Sequence, residues 1–230
     1  AFGAPKIDLD RLRAFKTKVV TQLTGGLGQL SKQRKITYLQ GTAAFLDAKR
    51  LEVTSEDGKK DTLTFEHAII ATGSHPAKVP GLSIDSPRVM DSTTALDLPD
   101  IPKSLLVVGG GYIGLELGTV YAALGTKVTV VEMTGGLLPG ADRDLVNVLA
   151  KRIESICEAV LLNTRVVGMK EQKNGIAVTF ESSTGSDQGG AEKKEQTFDR
   201  VLVSIGRKPN PVPGIEKTGV KVSQRGFLEV

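Results

Sequence analysis

Leu105-Leu106-Val107-Val108-Gly109-Gly110-Gly111-Tyr112-Ile113-Gly114-Leu115-Glu116, taken with Val128-Thr129-Val130-Val131-Glu132, decides the fold. Leu105 to Val108 is a short apolar run bounded by glycine, the pattern of a buried strand. Gly109 suits a tight turn, and Gly111 lets backbone amides approach a diphosphate at a helix N-terminus. Gly114 lets that helix pack close to the strand. Glu132 ends a second apolar run about twenty residues past the turn, where a carboxylate can accept both hydroxyl protons of an adenosine ribose. A glycine turn that only packs a helix on a sheet would explain the glycines and leave Glu132 unexplained. The expected fold class is α/β, a Rossmann-like doubly wound parallel sheet with a dinucleotide site.

The surrounding pattern extends this unit. Ser104 to Val108, Tyr112 to Leu124, Lys127 to Glu132, Asp142 to Cys157 and Ala159 to Leu162 alternate strand and helix. That alternation predicts right-handed crossovers and a parallel sheet covered on both faces. Arg165 to Glu171 and Ile176 to Glu181 bracket Lys173-Asn174-Gly175, a hairpin turn. Ser182 to Glu195 is polar and charged and is expected to be a loop without chemistry. Arg200 to Ile205 is a last buried strand.

Upstream, Leu9, Leu12, Val19, Leu23, Leu27 and Leu30 recur near helical spacing, which predicts a helix over Asp8 to Arg34. Gly25, Gly26 and Gly28 inside it suggest a break or a close approach by another backbone, a partner or a ligand, since each costs about 1 kcal/mol against alanine. Lys35 to Gln40, Thr42 to Leu46, Arg50 to Val53 and Thr62 to Phe65, with the turn Glu56-Asp57-Gly58-Lys59, predict an antiparallel meander. His67 to Ala71 is expected to be a buried strand running into Thr72-Gly73-Ser74. Pro76, Pro80, Pro87, Pro99 and Pro102 mark the passage to the glycine unit, and a domain boundary is placed there.

Composition narrows the function classes. Thirty basic against 26 acidic residues leave a net charge of +4, with the bases scattered, which reads as a solvated surface and argues against nucleic-acid binding. No apolar run approaches the roughly 20 residues of a membrane span. Cys157 is the single cysteine, so no intrachain disulfide and no cysteine metal cluster can form, and its place in an amphipathic helix suits core packing. His67 and His75, the only histidines, have no neighbours resembling a metal site or a nucleophile's base. The chain opens at Ala1 without a methionine, so either its terminus is processed or it is a piece of a longer protein.

Leu23-Thr24-Gly25-Gly26, Ile69 to Ser74, Gly109 to Glu116 and Ser204-Ile205-Gly206-Arg207-Lys208-Pro209-Asn210 stand in the order seen in pyridine nucleotide-disulfide oxidoreductases, which the whole chain resembles. Leu23 to Gly28 together with Val128 to Glu132 point to the dihydrolipoamide dehydrogenase branch of that family. The resemblance implies a central fragment: residues 1–90 as the later part of an FAD domain (helix plus meander), 91–206 as an inserted NAD domain, and 207–230 as the return to the FAD domain. The family's first GxGxxG and its CxxxxC redox pair are absent, and so are its later Gly-Asp motif and its His-Glu pair.

Carried over residue by residue, the resemblance implies that Gly109, Gly110, Gly111, Tyr112, Ile113, Gly114 and Leu115 contact NAD and that Glu132 holds its adenosine ribose. Glu116 would lie near the nicotinamide in a supporting role, with no catalytic residue in this fragment. Tyr112 stands where related reductases place a side chain over the nicotinamide pocket, although other members carry an aliphatic residue there. Val166 and Gly206 would line the NAD cleft; Ala43, Thr72, Gly73 and Ser74 would approach FAD. No metal is implied. The implied parent is a homodimer that serves the lipoyl domains of 2-oxoacid dehydrogenase complexes, in the cytoplasm of a bacterium or the mitochondrial matrix of a eukaryote. The fragment alone is expected to be inactive.

NAD is favoured over NADP on chemistry as well. A 2′-phosphate would set about two negative charges against Glu132, and Met133 and Thr134 supply no cation. Two other classes share these features: another flavin disulfide reductase of the same architecture, and a non-catalytic module that senses the nucleotide or uses the glycine-bearing helix for assembly.

Overall fold

The computed structural model describes residues 6–82, 84–182 and 193–229. The elements run α1 (Leu9–Gln33), β1 (Thr42–Asp47), β2 (Arg50–Thr54), β3 (Lys60–Thr64), β4 (Ser74–Pro76), β5 (Val89–Met90), β6 (Ser104–Val108), α2 (Tyr112–Ala123), β7 (Lys127–Val131), α3 (Arg143–Ile156), β8 (Ala159–Leu161), β9 (Thr164–Gln172), β10 (Gly175–Ser182), β11 (Lys193–Phe198), β12 (Arg200–Val203) and β13 (Arg207–Pro209). They divide into two compact units. One holds the chain up to Arg13 and Pro76–Gly206; the other holds Ala14–His75 and Arg207–Val230.

The first unit is built on a five-stranded sheet of order β5-β12-β6-β7-β8, with every pairing parallel. Strand alternation explains its layers, because successive side chains leave opposite faces. Leu105, Val107, Val128, Val130 and Leu202 point to the face covered by α2 and α3, where they meet Leu115, Leu117, Tyr121, Val146 and Ile153. Leu106, Val108, Val131, Val201 and Val203 point to the other face. That face is covered by the antiparallel sheet β11-β10-β9, through Val166, Ile176, Val178, Phe180 and Phe198. The sheet is therefore covered on both faces, by helices on one and by strands on the other. Fully burying one such aliphatic or aromatic side chain is worth about 1.5–3 kcal/mol, so this double packing carries the unit.

In the second unit β1, β2 and β3 form a three-stranded antiparallel meander, and β4 pairs with β13. Several sequence expectations fail here, each for a physical reason. Lys35–Gln40 is not a strand, because its start closes α1: Lys35 takes φ 55° and Ile36 N–H donates to Ser31 O at 2.9 Å, a left-handed helix terminus. His67–Ala71 is not a buried strand; Ile69 is 95% exposed, and no ladder partner stands beside the segment among the described residues. The glycines do not break α1, which runs unbroken through Gly25, Gly26 and Gly28, and a methyl group added at any of them would meet nothing within 4 Å.

Of the expected loop Ser182 to Glu195, residues 183–192 lie outside the described residues. Its ends are strand rather than loop: Ser182 closes β10, and Lys193–Glu195 open β11, paired to β10 across Glu181 and Lys193.

Candidate nucleotide-binding site

From β6 the chain winds through α2, β7 and α3 to β8 on one side, then returns as β12 on the other side of β6. The strand order thus reverses between β6 and β12, and the crevice beyond the carboxyl ends of strands at such a point is where α/β sheets take ligands. Gly109 begins the turn there with φ 106°, donating its N–H to Val131 O at 2.8 Å. A side chain at 109 would sit 2.7 Å from Ser204 O at the end of β12. A methyl at Gly114 would collide with Gly109 O and stand 2.6 Å from Ser204 Oγ, so helix, turn and strand end touch backbone to backbone. Gly111 caps α2 without any side-chain cap hydrogen bond, and a methyl added to it would meet nothing within 4 Å. An uncapped helix N-terminus beside open space is an anion-binding arrangement.

Glu132 follows β7 and is only 7% exposed. Its Oε2 accepts the Gly110 N–H at 2.8 Å, and its Oε1 lies 2.8 Å from both the Thr134 N–H and the Thr134 hydroxyl. The carboxylate is therefore part of the turn's own construction. A packed turn without ligand would give Glu132 a task after all, one that residue spacing did not reveal. A carboxylate offers about four lone-pair sites, so these bonds leave acceptor capacity.

The other residues of the expected site separate by environment. Tyr112 and Glu116 lie one turn apart on α2, and both are exposed. Ile113 and Leu115 pack into the core beneath the turn. Gly206 is exposed with φ 120° and accepts the Ala77 N–H at 3.0 Å. Val166 turns its side chain into the core under the sheet.

In the second unit Ala43 is exposed on β1, opposite Val53. Thr72-Gly73-Ser74 is clamped by the segment after Gly206. Asn210 donates its side-chain amide to Thr72 O at 2.8 Å and its backbone N–H to Gly73 O at 3.0 Å. Arg207 donates to Ser74 Oγ at 2.8 Å and to Ser74 O at 2.5 Å. His75 Nδ1 lies 2.8 Å from Asn210 Oδ1. Two motifs about 130 residues apart in sequence are thus one structural feature, held by side chains whose pairing no local pattern announces.

Cys157 packs against the helix-side core, and burial pushes its thiol pKa up, away from the reactive thiolate. No cluster of three or more His, Cys, Asp and Glu able to hold a metal occurs among the described residues. No helix there is long and apolar enough to cross a membrane.

The family model described as pyridine nucleotide-disulphide oxidoreductase matches residues 4–230. The chain belongs to this family. Among pyridine nucleotide-disulphide oxidoreductases, it is 43% identical over 230 residues to the dihydrolipoyl dehydrogenase of Vibrio cholerae, covering all of this chain and 47% of that one. It is 41% identical over 225 residues to the dihydrolipoyl dehydrogenase of Geobacillus stearothermophilus, covering 97% and 46%. The chain spans about half the length of the curated relatives it matches.

Among solved structures, the flavoprotein disulfide reductase RclA of Escherichia coli superposes with a TM-score of 0.79 at 28% identity, over 97% of this chain and 49% of that one. LpdA of Mycobacterium tuberculosis, at 24% identity, shares the fold with a TM-score of 0.82 over 98% and 48%.

Proposed function

We propose that this chain supplies the NAD site and part of the FAD domain of a dihydrolipoamide dehydrogenase. The observation that carries the site is the uncapped N-terminus of α2, facing open space at Gly111 where the strand order reverses. That cradle fits a dinucleotide diphosphate. Gly109, Gly110, Gly111 and Gly114 would admit it, with Tyr112, Ile113 and Leu115 at the first turn of α2. With three donors already on about four acceptor sites, Glu132 would add one ribose hydroxyl to those it holds. Val166 and Gly206 would border the cleft, and Glu116 would stand near the nicotinamide in support.

Ala43, Thr72, Gly73 and Ser74 would meet FAD. Asn210 suits this role because it engages the carbonyls of Thr72 and Gly73 and so fixes the orientation of their peptides. When bound, FAD relays electrons from a dithiol to NAD+, which accepts a hydride. The domain division proposed is 1–90, 91–206 and 207–230. The whole protein would be a homodimer working with the lipoyl domains of 2-oxoacid dehydrogenase complexes in the cytoplasm. Support for the branch comes from relatives of that name at 41–43% identity along the chain.

Titration calorimetry with NADH and NADPH tests the nucleotide site. A hydrogen bond to a charged group is worth about 1.5–3 kcal/mol, so replacing attraction at Glu132 by repulsion should separate the two cofactors by more than about tenfold in favour of NADH. Glu132→Ala should weaken NADH binding and narrow that gap. Equal affinities for NADH and NADPH in the unsubstituted chain would refute the assignment.

A further inference from the structure

The loop from Met133 to Asp142 lies over the glycine turn. Leu138 donates its N–H to Gly110 O at 2.9 Å, and Leu137, almost fully buried, packs where any side chain at Gly110 would have to go. The N–H of Gly110 is already held by Glu132. Both peptides flanking Gly110 are thereby fixed. All peptide bonds of the described residues are trans, so the N–H of Gly111 points away from the carbonyl that Leu138 holds, and Gly111 borders open space.

What shapes this loop is Arg143, the first residue of α3. Its guanidinium donates to Leu137 O at 2.9 Å, to Leu138 O at 2.5 Å and to Ala141 O at 2.8 and 3.0 Å. No carboxylate among the described residues pairs with it. Leu138 itself has φ 47°, a left-handed conformation that a branched side chain disfavours and that persists only when its surroundings impose it. The contacts on its backbone are Gly110 on its N–H, and Arg143 together with the Ala141 N–H, at 3.1 Å, on its carbonyl.

We propose that Arg143 is a positioning residue for nucleotide binding. It holds Leu138 in its left-handed conformation against Gly110, and so presets the Gly111 amide for the diphosphate. This rests on the NAD site proposed above. Arg143 does not touch the nucleotide in this scheme; it acts through Leu138 and Gly110.

The test is calorimetric NADH titration of the 230-residue chain and three variants. Arg143→Met should bind NADH at least about tenfold more weakly. Glycine adopts positive φ without strain, so in a Leu138→Gly background the same Arg143→Met change should cost no more than about threefold. An unchanged affinity in Arg143→Met overturns the proposal. So does an undiminished loss in the Leu138→Gly background, which would mean direct contact with the nucleotide. Should Arg143→Met fail to fold, Arg143→Lys replaces it, since one ammonium lacks the planar fork that spans three carbonyls. Arg143→Lys should bind more weakly, and full affinity there overturns the proposal. An unsubstituted chain that does not bind NADH fails the NAD site itself, a separate result.

Discussion

At the scale of single residues, burial converts ordinary side chains into parts with a definite charge state. Tyr121 is fully buried on α2, its hydroxyl donating to Ala95 O at 2.9 Å. Burial pushes its pKa up, offset in part by the nearby Arg200 guanidinium. The sign follows directly. A folded-state pKa above the unfolded one makes the contribution fully present below about pH 10 and progressively lost as pH rises through the folded value, because only the unfolded chain ionises readily. Tyr121→Phe should lose about 1 kcal/mol at neutral pH, which is about 2–4 °C in Tm for a chain of this size. Between pH 9 and 11 the difference should shrink, since the variant has no buried phenol to ionise. A Tm difference that stays constant across that range in thermal melts would remove this account. Glu132 is the complementary case: its spacing suggests a ribose contact, and in the fold its carboxylate anchors Gly110, a task that spacing does not reveal.

At the scale of elements, legibility follows from where an element finds its partners. β6, α2, β7 and α3 were readable because each packs on neighbours close in sequence, and their apolar periods report that packing. His67–Ala71 misled because a strand's apolar run says what it could bury, and no ladder partner stands beside it among the described residues. Lys35–Gln40 misled because a helix terminus takes its first residues. The pairing of Thr72 and Ser74 with Asn210 and Arg207 is carried by single side-chain bonds, which leave no periodic trace.

α1 offers a direct measurement. Its three glycines face open space, so Gly25→Ala, Gly26→Ala and Gly28→Ala should each stabilise the helix by about 0.5–1 kcal/mol, and the triple variant should show higher helicity and a higher melting temperature. A fall in either, seen by circular dichroism of this chain, would mean that the glycines serve a close approach within it.

At the scale of the whole molecule, the nucleotide cradle and the chemistry of the family separate. The first unit encloses its own core on both faces of the parallel sheet, and the glycine turn, Glu132 and the loop over Gly110 all belong to it. The proposed nucleotide site therefore rests on contacts complete within that unit. Oxidising a dithiol is different, because two electrons must enter through a disulfide, and a chain whose single cysteine is Cys157 cannot form one within itself. Cys157 is moreover packed at the helix-side core, with burial holding it as the thiol, which is the poor nucleophile in disulfide exchange. The purified 230-residue chain should therefore bind NADH yet produce none from dihydrolipoamide and NAD+ when absorbance is followed near 340 nm. Cys157→Ser should leave both results unchanged. Sustained NADH formation by this chain would mean that electrons reach the nucleotide by a route that needs no cysteine pair.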